Sequence, residues 1–373
     1  MLFRFACATA LAALSAARSI TNEERQSSGQ QALQQIVQTY TTNIRATLGG
    51  QCNEGNIRIR REWGDLSPND RRRYIAAAKC LAQRPPQTST SYAPGVRNRH
   101  DDFDVTHITR WKDVHNSPLL LHWHREFLYQ MEDALIGECG WTEGIPYWSH
   151  AKYAHLPPSQ NPLFDGTDTS LSGNGTPHRV ANGTVVDDDC NCITSGPFAD
   201  WVVNIGPLNA LCQNNPDANG LGYNPRCITR KFNTGVLGDM SYDVIVRTIT
   251  QFTDITSLGV HIESSPEGIH PNGHTMIGGM QTDIPGSSSD HAFYCHHAGL
   301  DFYFSLWQGL DLRGRTEGVP NTEAYRGYRQ GRGWDMVPQP TLDTELDFSP
   351  SFRSVRLGDT VSTTGGRYCY IYQ

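Results

Sequence analysis

Leu33, Ile36, Val37, Tyr40 and Ile44 recur at the period of one helix face and predict a helix over 30–48. Ser67 followed by Pro68 marks a helix start, and the pattern carries that helix over 67–83, with Cys80 and Leu81 near its end. Further helical patterns cover 103–111, 121–136, 242–253, 270–275 and 292–308. Between them, 157–235 is rich in Pro, Gly, Asn and Asp and is expected to form a long loop region. The tail over 354–372 alternates in a strand-like way around Gly365-Gly366. No internal repeat is evident. The expected architecture is mainly α, a helical core wrapped by long loops with a few short β-strands.

The first residues change the compartment. Arg4 precedes an apolar run over 5–14, and Ser15 and Ala17 offer small residues for cleavage, so 1–17 reads as a secretory signal peptide. No composition shift or linker divides the remainder, and 18–373 is expected to be a single domain. No second apolar run approaches the ~20 residues of a membrane span. Ten cysteines suit an oxidising, extracellular setting. Asn174 and Asn182 each open an Asn-Gly-Thr sequon in a Gly/Asp/Thr-rich stretch, a plausible glycosylated surface. The net charge of −7, with no basic cluster, argues against nucleic acid or a charged membrane as partner and leaves a small molecule. The oligomeric state stays open.

The chemistry sits in the histidines. Of the 14, His107, His115, His122 and His124 form one group, and His270, His274, His296 and His297 another. His270 and His274 are four apart and share a helix face, provided that Pro271 falls in the first turn, where its missing N–H has no intrahelical partner anyway. A third ligand must come from another helix, where His296 and His297 are both available. His297 shares a face with Phe293 and Asp301, while His296 is rotated by about 100°. In the first group His122 and His124 point roughly opposite ways on one helix. That leaves His124 as ligand and gives His122 a packing or supporting role, with His107 from the preceding helix and His115 from the loop. Three histidines per ion suit copper or zinc. The Glu-x-x-His pairs of a di-iron bundle and the H-E-x-x-H of a metalloprotease are absent.

Four stretches carry a resemblance: RHDDFDVTH (99–107), HNSPLLLHWHREF (115–127), the His270/His274 pair, and FYCHHAGLD (293–301), with PYW at 146–148 and a closing YCY at 368–370. Together they resemble the tyrosinase and catechol oxidase family, most closely its short fungal members, over about Cys52 to the C-terminus. The resemblance implies a four-helix bundle holding two copper ions with O₂ as co-substrate. Copper A would fall to His107, His115 and His124, and copper B to His270, His274 and His297. It implies oxidation of small phenols, foremost o-diphenols and o-aminophenols, to o-quinones. Full tyrosinase monooxygenase activity, and haemocyanin-like O₂ binding in place of catalysis, are the alternatives; a histidine-rich protein without redox function is the third.

The resemblance also suggests supporting roles. Glu267, three before His270, would hold a water near copper, with an exposed helix-start carboxylate as the other reading. Phe293 would stack on substrate or pack the core. Arg125 and Asp301 would pair between the two histidine-bearing helices, and Asp301 would help orient an imidazole. Three positions depart from the family. Asp113 stands where a thioether-forming Cys is common, Pro271 where Asn often follows the first copper B histidine, and His291 where Pro often follows Asp290. Pro271 cannot hydrogen-bond a water as Asn would, although the Thr275 hydroxyl could partly substitute. Weak monophenol hydroxylation is therefore expected. Cys295 lies about 200° around its helix from His297 and is expected to stay a free thiol. Once Cys7 leaves with the signal, the other eight cysteines could form up to four disulfides of open connectivity.

Overall fold

The structure is a computed structural model that describes residues 22–177, 191–209, 213–264 and 266–373. The signal segment, Asn182, Cys190 and Cys212 lie outside the described residues. The α-helices are α1 (Asn22–Arg45), α2 (Pro68–Leu81), α3 (Arg99–Val114), α4 (Leu120–Cys139), α5 (His150–Tyr153), α6 (Tyr242–Gln251), α7 (Ile255–Ser264), α8 (Ile269–Ile277), α9 (Ala292–Leu310), α10 (Leu312–Arg315) and α11 (Arg326–Gly331). Strands among the described residues are two or three residues long and pair only two at a time.

Helix ends follow local chemistry. Ser67 caps α2 by accepting from the Asp70 amide at 3.1 Å, with Pro68 in the first turn. Asn98 and Asp101 close a reciprocal capping box on α3, which therefore starts four residues before the stretch predicted from its apolar positions. α4 ends where Gly140 takes the left-handed conformation, φ 70°. α7 is not among the predicted helices, although Asp254 accepts from the Ser257 amide at its start and Ile255, Leu258 and Ile262 bury one face.

α3, α4, α8 and α9 form the bundle that carries both histidine groups, and α9 is buried along almost its whole length. α1, α2, α6 and α7 pack around it, and Trp63, Trp123, Phe127, Trp148, Phe304 and Trp307 anchor one continuous core. The strand-like tail does not fold back as a hairpin about Gly365-Gly366. Tyr370–Tyr372 instead pairs in parallel with Arg58–Arg60, far away in the chain, and Cys52–Cys369 ties the same two segments together. Cys80–Cys139 joins α2 to α4, Cys192–Cys227 braces the loop region, and Cys295 is a buried free thiol. No helix among the described residues is long and apolar enough to cross a membrane.

Candidate metal centre

The helices bring the two histidine groups face to face. The ring centroids of His107, His115 and His124 form a triangle with sides of 5.2, 5.7 and 5.0 Å. Those of His270, His274 and His297 form a second, with sides of 4.9, 5.1 and 5.3 Å. His124 and His297 stack across the gap at 4.3 Å, and His115 lies over His270 at 5.5 Å. Each triangle has candidate ligand atoms within 4.8 Å of one another.

Hydrogen bonds set the tautomers. His107, His115 and His124 place Nδ1 2.9, 2.8 and 2.8 Å from the carbonyls of Pro285, Trp111 and Leu120. A carbonyl only accepts, so each Nδ1 carries the proton and each Nε2 keeps its lone pair. His274 Nδ1 likewise donates to Gln281 Oε1 at 2.9 Å, and the Gln281 amide is oriented by its own Nε2 donating to Ser287 O at 3.0 Å. The Nε2 atoms of His107, His115, His124 and His270 are buried without a partner. His274 Nε2 faces His297 Nε2 at 3.2 Å. Burial pushes these imidazoles below the usual histidine range, His107 and His274 to about 4, which keeps them neutral. Buried acceptor nitrogens converging without donors are costly unless a cation fills the space. Three neutral imidazoles on either side, with no thiolate or carboxylate among them, fit a pair of copper ions.

His296 is close to the second triangle but already engaged. Its Nε2 donates to His270 O at 3.0 Å, so its Nδ1 accepts from His150 Nε2 at 2.8 Å, leaving no lone pair for a metal. α8 comes this near because of Gly273, where a Cβ would meet the His296 ring at 2.2 Å. His150 carries no motif that singles it out in the sequence. His122 points away from the centre, with Nδ1 3.0 Å from Thr360 Oγ1.

Supporting residues divide. Glu267 is not at the centre: it lies in the turn between α7 and α8, half-exposed, and pairs with Arg247 at 2.6 Å. The carboxylate that reaches the site is Glu263, in the last turn of α7. It is fully buried and accepts from the amides of Asn116 and, at 3.2 Å, Ser117, the two residues after His115. Burial pushes its carboxyl up to about 8 against the opposing pull of those amides and of Arg329. Phe293 is fully buried, 4.1 Å from the His297 ring and 4.9 Å from His107, so it packs the imidazoles and does not line the open cavity. Pro271 and Thr275 do line it, in a space of about 150 Å³ bounded also by His115, Asn116, Glu263, His270 and His274. His291, in place of the family's Pro, is fully buried against Phe198 and Trp201, while Asp290 pairs with Arg230 at 2.7 Å and caps α9 through the Ala292 amide at 3.0 Å. Asp113 is exposed at the end of α3.

One turn beyond His297, Asp301 accepts from Arg125 Nε at 2.6 Å, Arg60 Nη1 at 3.1 Å, Tyr370 OH at 2.7 Å and Tyr372 OH at 2.6 Å. Burial raises its carboxyl, but the two guanidiniums and the tyrosine hydroxyls more than offset this and hold it below the usual range. Through Tyr370 and Tyr372 the cluster is tied to the tail strand, and among the described residues Asp301 makes no hydrogen bond to an imidazole nitrogen.

A helical bundle that turns two triads of neutral, partly orphaned imidazoles toward one gap is the architecture of a dinuclear copper protein. The comparisons agree, and the chain belongs to the tyrosinase family: residues 97–310 match the common central domain of tyrosinase. It is 35% identical over 333 residues to tyrosinase P of Aspergillus terreus, covering 84% of this chain and 91% of that one. It is 32% identical over 352 residues to an N-acetyl-6-hydroxytryptophan oxidase of Emericella nidulans, covering 87% and 94%. Among solved structures, a mutant form of a polyphenol oxidase from Thermothelomyces thermophila superposes with a TM-score of 0.79 at 32% identity, covering 95% of this chain and 99% of that one. The protein is a tyrosinase-family oxidase.

Proposed function

We propose that this protein is a secreted o-diphenol:O₂ oxidoreductase that converts catechols or o-aminophenols to o-quinones and hydroxylates monophenols only weakly. The observation that carries the reading is the set of orphaned Nε2 atoms facing one another beneath an open cavity. His107, His115 and His124 would hold one copper, and His270, His274 and His297 the other. Bound there, copper supplies the electron exchange between the phenol and O₂; overall, two catechols and one O₂ give two quinones and two waters. The chain's own residues seat and deprotonate the phenol. The cavity takes about one aromatic ring, and Glu263, pinned to the loop that carries His115, offers at its wall a carboxyl raised to about 8 that, once ionised, receives the phenolic proton.

The preference for diphenols rests on Pro271, whose ring presents no hydrogen-bonding atom to the cavity. A monophenol must be deprotonated with only Glu263 and the Thr275 hydroxyl to position a water, whereas a catechol is more acidic and already carries both oxygens. The N-acetyl-6-hydroxytryptophan named for one relative widens the plausible substrates to hydroxylated aromatics with larger side chains. Secretion is supported by the disulfides and the apolar N-terminal run, with 18–373 as one catalytic domain. Asn174 is exposed and open to glycosylation.

The test is O₂ uptake and quinone absorbance with copper-loaded protein on a matched monophenol and catechol, without diphenol primer. Catechol is expected to turn over on the order of 10²-fold faster, and Pro271→Asn to raise the monophenol rate more than the catechol rate. Comparable rates in the native protein would overturn the diphenol preference. Full copper loading with no phenol oxidised would overturn the oxidase reading in favour of O₂ carriage.

A further inference from the structure

The cavity wall carries one acid and one base, Glu263 and Arg332. They differ in how they are held. Glu263 is buried and spoken for by two backbone amides. Arg332 is exposed at the mouth, its Cζ 5.3 Å from the centre of the Trp334 ring; its guanidinium makes no ion pair or hydrogen bond among the described residues and acts on Glu263 only through its charge, which lowers that carboxyl's pKa.

The segment that presents Arg332 is braced against the copper-binding loop. Arg329, buried in α11, donates to Lys112 O at 2.9 Å and to His115 O at 3.1 Å, and its Nε to Asp335 O at 2.6 Å. Trp334 stands edge-on to Trp111 of α3 at 5.0 Å, and its amide returns to Arg329 O at 2.9 Å. The backbone bearing Arg332 is thus tied to the loop that carries a candidate ligand, and the planar fork of a guanidinium suits a bidentate carboxylate acceptor. Size sets the complement. A cavity of about 150 Å³ takes a benzene-sized ring and little else, so any substituent on a bound phenol must extend to the mouth.

We infer that Arg332 selects phenols bearing a carboxylate on a short side chain, binding the carboxylate at the mouth while the ring occupies the cavity. This rests on the phenol-oxidase reading and adds the substrate's charge. Arg332 is a specificity residue at the far end of the substrate, so its effect falls on KM.

The test compares 3-(3,4-dihydroxyphenyl)propionic acid with its primary amide, equal in size and differing in charge, on copper-loaded enzyme. The native protein is expected to favour the acid about fivefold in kcat/KM, the scale of a partly exposed ion pair, with the difference in KM and shrinking as salt is raised. Arg332→Gln should bring the ratio to about one, and Arg332→Lys should keep part of the preference. Equal kcat/KM for acid and amide in the native protein, or a preference that survives Arg332→Gln, overturns the inference alone. Oxidation of catechol itself but of neither compound overturns the inference alone, and oxidation of none of the three overturns the proposed function with it.

Discussion

α4 and α9 meet twice, and the two meetings are built in opposite ways. On α4, His124 and Arg125 are neighbours; on α9, His297 and Asp301 are one turn apart. At the Arg125–Asp301 end the carboxylate has four donors, and the guanidinium also reaches Thr360 O at 3.1 Å and Ser305 Oγ at 3.3 Å. Arg60 Nη2 is the atom left over there. At the histidine end four buried Nε2 atoms have no donor at all. In the first cluster the shared carboxylate is fully satisfied within the protein and one donor, Arg60 Nη2, is left over; the second turns four unsatisfied acceptors toward one gap, where a cation fits. On these two helices the sign of function is convergence of unsatisfied lone pairs on one gap and not a missing donor alone, since His122 Nε2 on α4 is buried without a partner as well.

The comparison breaks first at Asp301. Asp301→Ala would leave Arg60 and Arg125 buried without their shared acceptor, a loss of about 3–5 kcal/mol of folding stability, read from urea unfolding of the copper-free protein. His297→Ala should cost less than this in the same assay. The reverse order would mean that the histidine end is the structural one.

On the functional side, Glu263→Gln should lower catechol turnover on the order of 10²-fold while both coppers stay bound, because the proton acceptor is lost and the ligands are not. Loss of copper in that variant would make Glu263 a support for the His115 loop and not a base.

The smallest effect is in acid. Asp301 has a depressed carboxyl pKa in the folded protein, so its contribution is full above the ordinary carboxylate value of about 4 and is lost as pH falls through the folded value. Asp301→Asn lacks this component, and its stability should fall less steeply than the native protein's below about pH 4. Parallel slopes would show that Asp301 does not carry the acid sensitivity.

The same contrast explains what the sequence disclosed. Local spacing made α2, α3, α4, α8 and α9 legible, and with them the six histidines that face one another. The choice between His296 and His297 was readable as helix rotation, and the structure adds the reason, two hydrogen bonds that occupy His296. Glu263 is hidden in the sequence because α7 is; the carboxylate three residues before His270 faces solvent. Asp254 before Ile255, Leu258 and Ile262 was the available cue. The Asp301 cluster was half legible. Arg125 was within reach of motif reasoning, but Arg60 and Tyr372 meet across 312 residues through a parallel strand pair that no local pattern announces. Disulfide partners were equally hidden, because Cys52 and Cys369 are brought together by that same pairing.

The central claim is that the two imidazole triads each hold copper, and metal content tests it most directly. Copper per chain should be measured on reconstituted, desalted native protein and on His297→Ala and His296→Ala, with helical circular dichroism confirming that each is folded. Two coppers are expected in the native protein, fewer than two in His297→Ala, and two in a folded His296→Ala. Two coppers retained in His297→Ala, with loss in His296→Ala, would contradict the claim.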